Sequence, residues 1–456
     1  MFNSKSVFLV WVLCLSLSAG VLERAYIKGI EENRDVKIAN SAVAYQSAAY
    51  ESVKTLDSLN VQLDGYARYY LAQESGLRDP NFNLPETTVV DDFVKANVNF
   101  TVSKSLYNKG IDSQQELGHK GVKKARDFLK QNKQDLAYEI AMSYIEILRA
   151  YDAFELSKEN FEVVNYEYEK SIEDSIVGVI DSIELDVSSS KKVCINALSR
   201  LNLDRLNNAL DRFKMLTHYE LIDINQLQEN ISYEKLKTKK FTEYYFDMLE
   251  TNPKLKQLQT AIEIAKEQVN LAGSMYDPSL QGQIGYEYTK NYTPIYLGQT
   301  YESGAYIGVS AVIPIYTGGR NDAAIQKAMQ NIQCETLKKV KVEENMRLSL
   351  QKEYRLLLSS RIQIEASRIR VLSLKNLYEQ AKVKMEIGQI KLLNLSKVKY
   401  EYLESKAELK KYEYGYLTAL SNLEHLSGVE NFKNLLLIDS VLSEKRINIE
   451  NLKKRL

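Results

Sequence analysis

Hydrophobic and polar positions along this chain follow two periods, and both occur in the stretch GAYIGVSAVIPIYTGGRNDAAIQKAMQNIQ, residues 304–333. Up to Ile315 the residues alternate with a period of two, which predicts a strand with one apolar face. After one Pro and two Gly, a helical period begins near Arg320 and runs to Met385 without Pro or Gly. The pattern predicts a strand joined directly to a very long helix.

Four segments show the strand period, namely residues 61–71, 94–103, 279–289 and 306–313. Segments of about ten residues with one apolar and one polar face are typical of strands that span an outer membrane. An ordinary half-buried sheet alternates equally well, so both interpretations stay open. Four strands cannot close a barrel, for which about eight is the usual minimum, so the membrane interpretation requires several chains to share one barrel.

The helical segments are longer than a globular core requires. In the first half of the chain, apolar residues at alternating spacings of four and three predict a coiled-coil seam at Ile140, Tyr144, Ile147, Tyr151 and Phe154. A second stripe, which includes Ala137, Ala141 and Leu148, predicts packing on a further side of the same helix. Helices with two seams suit the wall of a cylinder, and an ordinary antiparallel bundle is the alternative.

The two halves of the chain resemble each other. Residues from Asn33 match those from Asn252 at an offset of 219, and the offset is 210 where Gly178 aligns with Gly388. This self-similarity predicts a tandem duplication of about 200 residues per copy. In each copy the long helix meets this single Gly before another helical run, which predicts a helical hairpin with Gly at its tip. A kink within one helix is the alternative.

The N-terminal segment and the composition limit the class of protein. The stretch MFNSKSVFLVWVLCLSLSAG has Lys5, an apolar run and small residues, which predicts a secretory signal cleaved near Val21. A lipid-modified Cys14 or an uncleaved anchor are the alternatives. The 60 basic and 60 acidic residues balance, which argues against a nucleic-acid partner. Cys194 and Cys334 lie in helical segments without metal-ligand spacing, which predicts buried or free thiols.

The sequence contains no recognisable catalytic motif. The three histidines, His119, His218 and His425, are scattered, and no HExxH, GxSxG or phosphate-loop pattern occurs. We therefore expect a protein that is not an enzyme, with no catalytic, cofactor-binding or metal site and no cofactor.

The pattern resembles the TolC-like outer-membrane efflux proteins, also called outer membrane factors. The resemblance runs from Leu22 to Gly428, and NPKLKQLQTAIEIAKEQVNLAGSMYDPSL at Asn252 and IGVSAVIPIYTGGR at Ile307 are its most specific parts. It implies a mainly α fold with a β-barrel portion: a long antiparallel coiled-coil tunnel, and four strands per chain in a twelve-stranded outer-membrane barrel shared by a homotrimer. The alternative is an exported soluble coiled-coil scaffold or adhesin without pore activity.

The resemblance also implies a function, partners and a location. It implies a passive exit duct for a tripartite efflux or type I secretion system, in the outer membrane of a diderm bacterium with a periplasmic extension. A periplasmic adaptor and an inner-membrane pump would be its protein partners, outer-membrane lipid would surround it, and nucleic acid would not bind. The family's adaptor-contact motif falls at the two tips, on Val177, Gly178, Val179, Ile387, Gly388 and Gln389.

The entrance of the tunnel is where this sequence departs from the family pattern. The family often has aspartates six and nine residues beyond each tip glycine, and the corresponding residues here include Glu184, Asn394 and Lys397. We hypothesise that this aperture is less cation-selective than a double ring of aspartates would be. In the alternative interpretation, Lys397 pairs with a carboxylate and faces no lumen.

The elbow between barrel and tunnel maps to Pro314, Gly318 and Gly319. The first copy has Leu59 and Ser105 where the second has Pro278 and Pro314, so its elbows lack the fixed φ of Pro. The predicted domains are a signal peptide (1–20), a first repeat (21–218, with a β-hairpin at about 61–104), an equatorial inter-repeat segment (219–250), a second repeat (251–428, with a β-hairpin at about 279–316), and a C-terminal equatorial segment or tail (429–456).

Overall fold

The structure is a computed structural model, and it describes residues 20–75, 88–228, 231, 236, 238–292, 299–390, 392–428 and 433–449. The predicted signal peptide, except for Gly20, lies outside the described residues, as do the last seven residues of the predicted C-terminal segment. Within the described ranges, none of the helices carries an apolar stretch of the length that a membrane crossing needs.

Helices dominate the first half of the chain and flank one pair of strands. The elements of this half are α1 (Val21–Glu32), α2 (Arg34–Lys54), β1 (Asn60–Ser75), β2 (Thr88–Tyr107), α3 (Lys109–Ile176) and α4 (Ser182–Thr217). The second half continues with β3 (Asp223–Leu227), α5 (Phe241–Thr251), α6 (Pro253–Gly273), β4 (Ser279–Tyr292), β5 (Gln299–Val312), α7 (Arg320–Glu386), α8 (Leu392–Ser427), α9 (Lys433–Val441) and β6 (Leu442–Asn448). The order helix, two strands, two long helices thus occurs twice.

The chain divides into two compact units. One consists of Met1–Ala42, Arg126–Gln257 and Lys339–Leu456, and it holds most of the helical structure. The other consists of Val43–Ala125 and Leu258–Lys338, and it holds the four strands β1, β2, β4 and β5 with the adjoining parts of helices.

Both predicted stripes of α3 are confirmed as core of the helical unit. The seam residues Ile140, Tyr144, Ile147, Tyr151 and Phe154 are buried, and so are Ala137, Ala141 and Leu148. The hydroxyl of Tyr144 accepts a hydrogen bond from the Asn225 backbone N–H (3.0 Å) and lies 3.3 Å from the Asn225 carbonyl oxygen. Burial raises the pKa of Tyr144 to about 12. The tyrosine therefore adds a polar link from α3 to β3 without leaving its hydroxyl unpaired.

The segment between the repeats and the C-terminal segment come together in a small antiparallel sheet. Strand β3 pairs with β6, with Ile224 opposite Ile447. The apolar run NLLLIDSVL forms most of α9, whose Leu435, Ile438 and Val441 are buried in the core. Over residues 433–449 the chain is thus a packed element, and the alternative of a free tail is wrong there.

Equivalent residues of the two halves make equivalent helix caps. The side-chain oxygen of Asn33 accepts hydrogen bonds from the N–H groups at the start of α2, and that of Asn252 does the same for α6. The Asn33 amide also donates to the Leu216 carbonyl, and the Asn252 amide to the Leu426 carbonyl. These pairs are separated by the offsets of 219 and 210 found in the sequence, so the alignment of the halves describes corresponding contacts.

The four longer strands form one antiparallel sheet in the order β1-β2-β4-β5. The first hairpin runs from Asn60 to Tyr107, slightly beyond the predicted 61–104, and a register shift between Ser105 and Tyr107 ends its pairing with β4. The predicted continuation of β5 to Ile315 is wrong, because the strand ends at Val312. Pro314 follows two residues later and has no backbone N–H with which to extend a ladder.

Candidate functional site

The four-stranded sheet exposes its apolar face. Leu63 lies opposite Phe100, Phe100 lies opposite Tyr286, and Ile284 lies opposite Ile307, so all four strands contribute to this face. Each of these side chains is exposed, up to 82% for Ile307. A soluble sheet would bury such a face, because large contiguous apolar patches on monomers usually mark an interaction surface.

The other face of the sheet is polar and more covered. Asn97 is only 5% exposed and donates to Thr289 Oγ1 (2.8 Å) and Glu287 Oε1 (2.7 Å). Tyr306 lies across Gly285, where an added Cβ would come within 2.5 Å of the tyrosine ring. Its hydroxyl lies 3.4 Å from that of Thr101. Polar groups thus satisfy one another on this face, while the apolar side chains point the other way.

The sheet has two open edges in the part of the chain that the structure describes. β1 pairs only with β2, and β5 pairs only with β4. An unpaired edge presents free backbone N–H and C=O groups and favours pairing with another strand. In hydrocarbon such groups cannot remain unpaired, because no water is present to bind them.

The elbow residues stand where a strand gives way to a long helix. Gly318 and Gly319 have φ values of +66° and +78°, and an added Cβ would meet no other atom within 4 Å at either one. The backbone conformation, and not close packing, therefore requires Gly here. In the first half of the chain the long helix begins differently: the Asn108 side chain accepts a hydrogen bond from the Gly110 N–H at 3.0 Å. An Asn cap starts the helix that follows the elbow without Pro.

Both helical tips have the geometry that the lone glycines predict. Gly178 and Gly388 have φ values of +75°. The N–H of Val179 donates to the Asp174 carbonyl at 2.8 Å, and the N–H of Gln389 donates to the Lys384 carbonyl at 2.8 Å. With the bonds made by the glycine N–H groups themselves, this is the Schellman arrangement that ends a helix. The chain turns at both tips, so the alternative of a kinked single helix is wrong.

The tips expose apolar side chains. Val177 is 71% exposed, and Ile176, Val179 and Ile387 are also exposed. Gln389 is exposed as well, so five of these side chains face away from the core of their own chain. The structure therefore leaves the predicted adaptor-contact residues free for another protein, and turn geometry alone does not require their side chains to be apolar.

The three predicted aperture residues lie on the first turns of α4 and α8, and all three are exposed. Glu184 and Asn394 are each the third residue of their helix. The N–H of Glu184 donates to Asp181 Oδ1 (2.8 Å), which caps α4. Within the described residues, no ion pair involves Lys397, and no hydrogen bond or ion pair joins the three residues to one another. The alternative in which Lys397 pairs with a carboxylate gains no support from this chain.

The balanced total charge hides a difference between the two tips, which the sequence reasoning missed. Residues 166–190, centred on Gly178, contain seven acidic residues and one basic residue, a net charge of −6. Residues 376–400, centred on Gly388, contain two acidic and five basic residues, a net charge of +3. Comparing the charges of aligned halves, and not of the whole chain, would have found this asymmetry.

Opposite charges meet where the two hairpins of the chain touch. Lys406 on α8 pairs with Glu159 on α3 at 3.2 Å, and Lys410 lies 3.7 Å from Asp152.

Nearer the tips, Lys191 on α4 pairs with Glu167 at 2.8 Å, and its ammonium lies 4.2 Å from the ring centre of Tyr400 on α8. Burial lowers the pKa of Lys191, but its hydrogen bonds and the nearby charge of Glu167 outweigh that effect, so the pKa is raised. Lys191 therefore stays charged and links three helices.

Among the described residues, no cluster of His, Cys, Asp and Glu could hold a metal ion. Cys194 and Cys334 are free thiols and both are exposed, so the burial allowed by the sequence is not found. The candidate functional features among the described residues are therefore surfaces, namely an apolar sheet face, a polar sheet face and two exposed helical tips.

Comparison with known proteins agrees with the resemblance found in the sequence. Residues 245–429 match the family model described as Outer membrane efflux protein. The chain is 24% identical over 311 residues to the alkaline protease secretion protein AprF of Pseudomonas aeruginosa, and 23% identical over 293 residues to the outer membrane protein TolC of Vibrio cholerae. These alignments cover 66% and 63% of this chain, and they span 60% and 64% of the two relatives.

The fold is shared with a solved outer membrane protein, VceC from Vibrio cholerae. The two match with a TM-score of 0.69 at 12% sequence identity, over 89% of this chain and 96% of VceC. At this identity the similarity concerns the fold, and it agrees with the predicted combination of long helices and a few strands.

Proposed function

We propose that this chain, which belongs to the outer membrane efflux protein family, forms the passive exit duct of a tripartite efflux or type I secretion system. Substrate would enter at the helical tips, pass along a helical wall and leave through the strands in the outer membrane. The duct needs no cofactor and no reaction of its own, because the energy comes from an inner-membrane pump.

The observation that carries this proposal is the orientation of the four-stranded sheet. Its apolar face is exposed. On the opposite face, polar residues such as Asn97 and Thr289 are buried and form hydrogen bonds with one another. A strand with lipid on one side and water on the other requires this arrangement. In a soluble scaffold or adhesin, the apolar face would have to pack against something in the same chain.

The open edges of the sheet support a homotrimer. Four strands are too few to close a barrel, and about eight is the usual minimum. If β5 of one copy pairs with β1 of the next, three copies give twelve strands and leave no edge unpaired. Closure removes the unsatisfied backbone groups that a membrane does not tolerate.

The exposed tips support docking of a periplasmic adaptor. Val177 and Val179 in one hairpin and Ile387 in the other project apolar side chains beyond a rigid turn. Such a surface can bury its side chains in a partner with little loss of conformational freedom. One relative is named for the secretion of alkaline protease. In the proposed system the pump, and not this chain, would select the transported substrate.

A planar lipid bilayer tests the proposal directly. Protein extracted in detergent should insert and give discrete, long-lived single-channel currents. Replacing Ile307 by Lys places a charge on the apolar face and should reduce insertion, by about 2–4 kcal/mol per strand if the position lies near the middle of the bilayer. Thr101→Lys adds the same charge on the opposite face and should still insert. A protein that leaves the periplasm without detergent and opens no channel would rule the duct out.

A further inference from the structure

The first helix of the chain begins against its C-terminal segment. Helices α1 and α9 both belong to the helical unit and contact each other. Their apolar residues are buried in one core, with Leu22, Ala25 and Tyr26 from α1 and Leu435 and Ile438 from α9. This packing places the residue that follows Ile438, which is an aspartate, beside the first turn of α1.

Asp439 of α9 caps the start of α1. Gly20 precedes this helix and has no side chain that could accept from the first N–H groups. The Leu22 backbone N–H instead donates to the Asp439 carboxylate. An added Cβ at Gly20 would overlap this carboxylate, so the group lies directly against the glycine. Asp439 thus supplies from α9 the cap that α1 lacks in its own sequence.

No ion pair involves the Asp439 carboxylate in the part of the chain that the structure describes. Burial and the neighbouring charge of Glu23 raise its pKa to about 6, although the Leu22 N–H and the charge of Arg24 act in the opposite direction. At neutral pH the group is therefore still ionised. A partly buried negative charge is costly unless a cation compensates for it.

The predicted signal sequence ends at the same place. Its small residues Ser18 and Gly20 predict cleavage of the bond between Gly20 and Val21. Hydrolysis of this bond by a signal peptidase consumes one water molecule. The new carboxyl group leaves with Gly20, and the new amine stays on Val21 and takes up a proton. A free α-amine has a pKa of about 7.7–8.0, so at neutral pH it is mostly an ammonium.

The new ammonium would lie beside Asp439. The Val21 nitrogen directly precedes the Leu22 N–H, which already donates to this carboxylate, and loss of Gly20 clears the space against the carboxylate. Cleavage also removes the Gly20 carbonyl, which accepts from the Arg24 N–H at 3.2 Å. A positive charge at the first residue of a helix opposes the helix dipole, and a carboxylate in contact with it compensates for this.

We propose that Asp439 is the receptor for the amino terminus created at Val21, so that removal of the signal sequence completes the attachment of α9 to α1. Before cleavage this ion pair is missing, because the Val21 nitrogen is then part of a neutral peptide bond. In the mature chain the pair joins the first helix to the C-terminal segment. The inference concerns maturation during export and does not depend on the proposed duct.

Two measurements on the detergent-extracted mature protein test this pair. Intact-mass spectrometry should give a chain that begins at Val21. Acetic anhydride reacts only with the neutral amine, so the rate of acetylation at Val21, measured from pH 6 to pH 9 by peptide mass spectrometry, reports the pKa of this amine. An adjacent carboxylate raises that pKa, so at pH 7 the folded protein should react about tenfold more slowly than the urea-unfolded protein.

The exchange Asp439→Asn separates the ion pair from the helix cap. Asn retains an oxygen that accepts from the Leu22 N–H, but it has no charge. The pH profile of the Val21 amine should therefore return to that of an ordinary α-amine, with about tenfold faster acetylation at pH 7. Asp35→Asn is the matched control, because Asp35 is an exposed residue in the first turn of α2, and it should leave the profile unchanged.

The outcomes distinguish the pair from a simple cap. If the Val21 amine has the same pH profile in the folded protein, the unfolded protein and Asp439→Asn, then Asp439 is only a cap and the proposal is wrong. A mature chain that begins at any residue other than Val21 would also overturn it. If Asp439→Asn does not accumulate in the membrane, the comparison of folded and unfolded protein decides alone. Channel currents are recorded separately, so the duct stands or fails on its own.

Discussion

At the scale of single residues, the two tips depend on a backbone conformation that only Gly adopts easily. Gly178 and Gly388 have φ values of +75°, and an added Cβ would meet no atom within 4 Å at either position. Gly178→Ala should therefore destabilise the tip by about 1–2 kcal/mol through backbone strain alone. Thermal unfolding of the detergent-extracted protein would measure the loss.

Gly273 provides a matched control for this prediction. It ends α6 with a negative φ, and an added Cβ there also meets open space. Gly273→Ala should be neutral or stabilising, by up to about 1 kcal/mol, because Ala has the higher helix propensity. A loss of stability equal to that of Gly178→Ala would show that the conformation of the tip is not the cause.

A half-buried histidine should make the helical unit sensitive to acid. The His425 ring stacks on Tyr138 with ring centres 4.3 Å apart, and its Nε2 lies 3.4 Å from Asp135 Oδ1. Burial lowers the pKa of His425, and the negative charge of Asp135 opposes this in part. As the pH falls through about 6.5, the unfolded chain binds the proton more readily than the folded one, so the free energy of unfolding falls.

The exchange His425→Gln should remove this part of the pH dependence. Melting temperatures measured from pH 8 to pH 5.5 should fall less steeply in the variant than in the unmodified protein. The difference between the two proteins reports the histidine together with its effect on Asp135, whose pKa the charge of His425 lowers. His119 is exposed, and His119→Gln should leave the slope unchanged. Parallel curves for His425→Gln and the unmodified protein would contradict the prediction.

At the scale of elements, periodicity predicted most of the helices and the strands. The spacing of Ile140 and Tyr144 identified a seam that is buried, and the lone Gly178 identified a tip. Such features are local, because a repeating pattern or a φ requirement can be read from neighbouring residues. The packing of α9 was less accessible, because α9 leads into β6, and β6 pairs with the distant β3.

The candidate site was predictable to different degrees. Tip residues such as Val177 follow from the resemblance and from the turn, and the structure leaves them exposed. The role of Lys397 is still a prediction, because it depends on the proposed lumen between several copies of the chain. The opposite charges of the two tips were present in the sequence, but the balanced total concealed them until the halves were compared.

At the scale of the whole molecule, the proposed trimer would multiply any charge at its entrance by three. Lys397 lies nine residues beyond Gly388 and is exposed. The equivalent residue in the first half of the same chain is the apolar Val187. In a trimer, three ammonium groups would surround the axis at this level, with nearby carboxylates contributed by Glu184. A narrow pore strengthens the effect of such rings on passing ions.

Lys397→Asp should shift the pore towards cations, because it changes the charge at the entrance by −6 in a trimer, −2 per copy. Reversal potentials in a bilayer with a salt gradient measure this selectivity directly. Lys411→Asp makes the same change at an exposed position of α8 farther from the tip, and it should have a smaller effect. If the unmodified pore already selects cations strongly, and Lys397→Asp leaves its reversal potential unaltered, then Lys397 does not face the lumen. The ion selectivity would then have to come from other residues, such as Glu184 or the polar face of the sheet.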